Sequence, residues 1–267
     1  MIRQRELTEL FRENGGKRMT LYEDNTMLGQ REEDVRKIYR HEYKYLLNAA
    51  DEAVLKMRAE GLLSPDPHVG RDGKYIVRSL YFDDWDDRCY YENEAGEDRR
   101  EKYRIRIYDL NDRYITLEKK SKLRGMTNKT SCPITLEQCN VFMKGGIPDA
   151  DRKIPGQQAL LYEMRIKVLR PTVIVQYVRT PYIYQAGNVR VTFDSCIASG
   201  GAFDSFFDEN AQTRQILEKG RSILEVKWDA FLPDHIKQVL ELDTLQWTSF
   251  SKYYLCRKYN DRGGLRS

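Results

Sequence analysis

The stretch Lys102–Lys122, KYRIRIYDLNDRYITLEKKSK, is compatible with few folds. At the two-residue period of a β-strand, Lys102, Arg104, Arg106 and Tyr108 share one face, and Tyr103, Ile105 and Ile107 the other. After a turn at Asn111-Asp112, Thr116, Glu118, Lys120 and Lys122 line one face, with Ile115 and Leu117 opposite. The result is a hairpin with one apolar face and one crowded with cations around a single carboxylate. An ordinary solvated face mixes its charges; this one suits an anion.

The alternation returns along the chain. Polar faces carry Arg40, Glu42 and Lys44 in RHEYKY, Ser79 and Tyr81 in KYIVRSLYFD, and Tyr177 and Arg179 in TVIVQYVRTPYIY. Arg190 and Thr192 follow in VRVTFD, then Glu225 and Lys227 in SILEVKW. An open sheet of this pattern would leave one face soaked in charge. The sequence therefore predicts an α+β fold in which a closed antiparallel β-barrel turns its charged faces into a wet tunnel and packs helices around the outside. Helical spacing predicts helices over 48–60, 136–142 and 157–168 and one starting near Pro233. Residues 122–132 read as a polar, basic connection with Lys129 turned inward, 200–219 as a flap, and Asp83 and Asp194 as turn or strand-end residues.

Charge composition limits the partners. The 45 basic and 41 acidic residues leave a net charge of +4, small for a sequence-independent nucleic-acid binder, so the positive field must be local and no nucleic acid is expected. Unpaired charge is costly to bury, so such an interior must hold water, carboxylates and a polyanionic ligand. The five cysteines, Cys89, Cys132, Cys139, Cys196 and Cys256, form no CxxC pair and favour a reduced, intracellular protein over a disulfide framework or zinc site. The start, MIRQRELTELF, lacks the apolar core of a signal peptide, and no apolar run reaches membrane-spanning length. The expected location is cytoplasmic, or peripheral to a membrane through a membrane-protein partner. Residues 1–37, with Leu7, Leu10 and Phe11 at helical spacing, read as an N-terminal arm or helix without assigned function, 38–260 as a single tunnel domain and 261–267 as a tail.

Taken in order, RHEYKY, SLYFDD, KYRIRIYD, LEKKSK, QYVR, VRVTFD, LEVK and SKYY resemble the catalytic domain of the vacuolar transporter chaperone (VTC) family. These domains are polyphosphate polymerases of the triphosphate tunnel metalloenzyme fold. The resemblance spans about Tyr39 to Tyr254 and implies a chain that transfers the γ-phosphate of ATP to polyphosphate, with Mn2+ or Mg2+ as cofactor. It implies substrate-binding cations at Lys44, Arg104, Arg106, Lys120, Lys129, Arg179, Arg190 and Lys252, a metal-binding carboxylate at Glu225, and phosphate-proximal groups at Tyr177 and Ser251. Among these, Arg104, Arg106, Lys120, Arg179 and Arg190 are expected to act on the reacting phosphate. Lys227, on the same face as Glu225, joins the substrate-binding set. Hydrolytic members of the wider fold open with Glu-x-Glu-x-Lys, whereas this chain has Arg40-x-Glu42-x-Lys44. A cation replaces the first carboxylate, which favours polymerase over triphosphatase. A non-catalytic polyphosphate-binding module is the third reading.

Overall fold

The structure, a computed structural model, describes residues 40–242 and 245–262; the arm expected over 1–37 lies outside them. Ten strands form one antiparallel sheet. They are β1 (His41–Leu47), β2 (Ser64–Pro65), β3 (Tyr75–Asp83), β4 (Arg100–Tyr108), β5 (Thr116–Leu123), β6 (Met126–Pro133), β7 (Arg170–Tyr184), β8 (Val189–Gly200), β9 (Arg214–Gln215) and β10 (Ser222–Trp228). The order is β1-β10-β8-β7-β3-β4-β5-β6, with β2 added to β7 and β9 to β8. Among the described residues six α-helices accompany them: α1 (Ala49–Glu60), α2 (Arg88–Glu94), α3 (Leu136–Met143), α4 (Gln157–Ile166), α5 (Asp234–Val239) and α6 (Lys252–Arg262). Among the described residues, no helix is long and apolar enough to cross a membrane.

The hairpin at 102–122 forms with the expected parity. Tyr103, Ile105, Ile107, Ile115 and Leu117 enter a buried cluster with Phe142 of α3 and Leu160, Leu161 and Met164 of α4. Each large apolar side chain so buried contributes about 1.5–3 kcal/mol. A capping box starts α3, in which the Thr135 hydroxyl accepts from Gln138 N and the Gln138 side chain from Thr135 N. A second cluster joins β1, β8 and β10 to α1 and α5 through Leu55, Val191, Phe193, Leu224, Val226 and Ile236.

The sheet curls but stays open, which corrects the expected closed barrel. Its end strands, β1 and β6, share one isolated bridge, Arg40–Thr127. Two features of the sequence explain this. The free edge of β1 is taken by the segment before α6: Trp247 bridges Tyr45, and Thr248 N donates to Lys44 O at 2.9 Å. The inner face is also not charged throughout. Val77 lies on it two residues from Ser79, and Val175 and Val173 two and four residues from Tyr177, and α6 covers them with Tyr253 and Cys256. A helix thus occupies part of the space that a closed barrel would leave as a tunnel.

The connection expected at 122–132 is instead strand β6, paired with β5 from Leu123–Met126 to Thr116–Pro133. Arg124 (φ 49°) and Gly125 (φ 77°) make the two-residue turn, the left-handed geometry that matches strand twist.

Candidate functional site

The concave face between β1, β10, β4, β5 and the start of α6 holds a cavity of about 160 Å3. Ten cationic side chains line it against two carboxylates, Glu42 and Glu225. Glu118 and Asp194 are ion-paired to lining cations from behind. With every group ionised, the cavity holds six surplus positive charges, more than the net +4 of the whole chain. The positive field is local, as the composition required.

Four ion pairs converge where β7, β8 and β10 meet α6. Arg179 is bidentate to Asp194, Nε and Nη2 each 2.7 Å from a carboxylate oxygen, the geometry that best uses a guanidinium fork. Lys252, the first residue of α6, places Nζ 2.7 Å from Asp194 Oδ2 and 2.7 Å from Glu225 Oε1. Glu225 also accepts from Lys227 Nζ at 2.8 Å and from Arg179 Nη2 at 3.4 Å. Burial works against the charge on Glu225, but Lys227, Lys252, Lys44 and Arg179 outweigh it and hold the carboxyl well below the usual range. Burial likewise opposes the charge on Lys252, and Asp194 and Glu225 raise its pKa above the ordinary lysine value.

On the opposite wall, Arg104 donates to Glu118 Oε2 from Nε at 2.7 Å and to Tyr81 OH from Nη1 at 2.9 Å. Arg106 donates to Ser79 Oγ and Tyr177 OH, each at 3.2 Å. Both guanidinium groups are therefore fixed, and Arg106 is held mainly by hydroxyls. Lys120 Nζ meets Glu42 Oε2 at 2.6 Å, and Lys44 Nζ meets Glu42 Oε1 at 3.0 Å and Phe250 O at 3.0 Å. Burial, with the charges of Lys44 and Lys227, overcomes the pull of Glu42 and lowers Lys120 to about 8.

The structure thus brings Lys44, Arg104, Arg106, Lys120, Tyr177, Arg179, Glu225, Lys227, Ser251 and Lys252 to one cavity. It does not bring Arg190 there: Nη2 is 2.7 Å from Asp66 Oδ2 and 3.1 Å from Tyr75 OH. Lys129 sits opposite Lys120 in register but is half-exposed and bonds Glu118 at 3.1 Å.

Two functional groups escaped the sequence reading. Asp194, read as a strand-end residue, is fully buried and anchors Arg179 and Lys252; its parity with Arg190 and Thr192 was the available signal. Lys102 belonged to the cationic face but was assigned no role. Its Nζ donates to Asn93 Oδ1 at 2.6 Å and Ser251 Oγ at 2.8 Å.

The carboxylates do not form a resident metal site. Among the described residues, no group of three or more His, Cys, Asp or Glu side chains is placed to hold an ion. The oxygens of Glu225 and Glu42 already accept from lysines, and that ring of cations opposes a bare divalent ion.

Such a half-barrel, with cations converging on a polyanion-sized cleft, has the triphosphate tunnel metalloenzyme fold. The chain belongs to the VTC domain family, whose description it matches over residues 39–259. Several solved structures are similar to the chain. One, a candidate adenylyl cyclase from Hippeastrum described with a dominant triphosphatase activity, is 14% identical with a TM-score of 0.50, across 83% of this chain and 96% of that one. The PH1819 protein of Pyrococcus horikoshii is 14% identical at TM-score 0.44, across 83% and 99%. A candidate adenylate cyclase from Bacillus halodurans is 13% identical at TM-score 0.44, across 75% and 86%. Comparison with curated protein sequences gave no match.

Proposed function

We propose that the chain is a polyphosphate polymerase that transfers the terminal phosphoryl group of ATP to a polyphosphate end and releases ADP. The observation that carries this reading is the surplus of fixed cations in a cavity whose two lining carboxylates are already neutralised by lysines. Phosphoryl transfer needs in-line placement and stabilisation of charge spread over the equatorial oxygens, not a protein nucleophile. A terminal oxygen of the acceptor forms the new bond to the γ-phosphorus. The bond from that phosphorus to the β–γ bridging oxygen breaks, and its electron pair leaves with ADP.

Arg104, Arg106, Lys120 and Arg179 stabilise the transferring group, while Lys44, Lys227, Tyr177, Ser251 and Lys252 hold the neighbouring phosphates. Arg190 would join them only on leaving Asp66, and Lys129 on leaving Glu118. Mn2+ or Mg2+ enters as part of the nucleotide substrate. Arg40, standing where hydrolytic members of the fold carry a carboxylate, pairs with Asp229 at 2.6 Å and supplies nothing that would bind a metal to activate water. Acting on ATP and polyphosphate, the protein would work in the cytoplasm, beside any membrane partner that removes the product.

Incubation with ATP and Mn2+ or Mg2+, with ADP, phosphate and polymer resolved, tests the reading. ADP accumulating with polyphosphate, after a lag shortened by added primer, is expected. ADP matched one-for-one by free phosphate would replace the proposal with a triphosphatase, and tight binding without turnover would replace it with a binding module.

A further inference from the structure

The cavity cations divide into two groups by their partners. Seven of the ten lie within ion-pair distance of Glu42, Glu118, Asp194 or Glu225. The other three, Arg100, Lys102 and Lys122, have no carboxylate within that distance among the described residues. They are neighbours: Arg100 is opposite Lys122 in the β4–β5 ladder, and Lys102 follows two residues along the same face. Lys102 is nonetheless held in place, by the neutral oxygens of Asn93 on α2 and Ser251 before α6, and its ammonium lies 5.3 Å from the centre of the Tyr253 ring. Burial, then Lys44, Lys120 and Arg100, depress its pKa well below the ordinary value, and an anion laid against it favours the charged form again.

The two groups suit different polyanions. Where each cation already has a carboxylate partner, an incoming phosphate competes with Glu42, Glu118, Asp194 or Glu225 for it. A nucleotide whose phosphates are partly neutralised by its own divalent ion has less charge to match there, as the region itself does. At Arg100, Lys102 and Lys122 nothing has to be displaced. A metal-free chain of phosphates gains their attraction there without competing with a carboxylate.

We propose that Arg100, Lys102 and Lys122 form a separate subsite for the inorganic polyphosphate acceptor, beside the carboxylate-paired region that takes the nucleotide. This rests on the reading of the cavity as a phosphoryl-transfer site. The subsite fixes the direction of growth: the acceptor end reaches the γ-phosphate from the β4–β5 side.

Titration calorimetry on the full chain with a short inorganic polyphosphate and, separately, a magnesium-bound non-hydrolysable ATP analogue tests this. Lys102→Gln is expected to weaken polyphosphate about tenfold, the loss of ~1.4 kcal/mol, while changing the affinity for the analogue less than twofold. Lys122→Gln, at a more accessible position, serves as the second variant and should shift the same ligand in the same direction. Parallel losses for both ligands would overturn the subsite in favour of one undivided site, and so would unchanged affinities in both variants. If the unmodified chain bound neither ligand, the reading of the cavity itself would fall, and the subsite with it.

Discussion

Lys120 shows how the cavity converts geometry into protonation. Its ammonium is buried and faces Glu42 at 2.6 Å, but Lys44 and Lys227 also crowd it, and its pKa falls to about 8. A polyphosphate laid against it reverses the balance, favours the charged form and raises that pKa. Binding should therefore take up protons when measured near and above pH 8, and affinity should fall as pH rises through that value. Calorimetry in buffers of different ionisation enthalpy reads the uptake directly; none at pH 8.5 would remove Lys120 from contact with the ligand. The sign for the free protein is opposite. A lysine whose folded pKa lies below its unfolded value destabilises the fold while both forms are protonated. This cost is relieved as pH rises from about 8 towards the unfolded value near 10.4.

At the scale of elements, the site depends on the two helices that bring Asn93, Ser251 and Lys252 to it. Asp83, fully buried at the end of β3, ties both down. It accepts from Cys89 N at 2.9 Å and Tyr90 N at 3.1 Å at the start of α2, and from Tyr253 OH in the first turn of α6. Asp83→Ala leaves these donors buried without an acceptor and should cost about 3 kcal/mol, seen as a lower melting temperature. Because α6 loses its anchor, affinity for tripolyphosphate should fall about tenfold as well. An unchanged melting temperature would show that packing alone seats both helices. Asp83 also marks how far the sequence could be read. Strands with one apolar and one cationic face, such as β4, β5 and β10, were legible because period-two burial writes itself into residue type. Strand β6 was not: it is an edge with much of both faces wet, so MTNKTSCP shows little alternation, and its turn uses Arg124-Gly125 rather than Asn-Gly. Asp83 and Asp194 looked like termini because the partners on α6 that tie them to the site lie 170 and 58 residues away along the chain, at Tyr253 and Lys252. Pairings that distant leave no local pattern. The closed barrel was over-read for a related reason, since nothing in Val77, Val173 or Val175 announces that a C-terminal helix will cover them.

For the whole molecule, the consequence is electrostatic. With every group ionised, six surplus positive charges are held on the inner face of a sheet that is open and joined across its ends by a single bridge. The rest of the chain is slightly acidic, because the total is only +4. Repulsion within the cavity therefore weakens the free fold in a way that a polyanion can correct and a monovalent salt can only screen. A ligand that binds the folded state alone adds about 2.7 kcal/mol at a hundred times its Kd. For a chain of this size that raises the melting temperature by roughly 5–10 °C. Tripolyphosphate should produce such a shift, and sodium chloride at matched ionic strength only a small part of it. Arg106→Ala, which removes a guanidinium held by Ser79 and Tyr177, should fold yet lose most of the tripolyphosphate shift. Thermal unfolding of both proteins with each salt decides the matter. Equal shifts from tripolyphosphate and chloride would mean that the cations act as a diffuse field, and a full shift in the Arg106 variant would place the ligand elsewhere in the cavity.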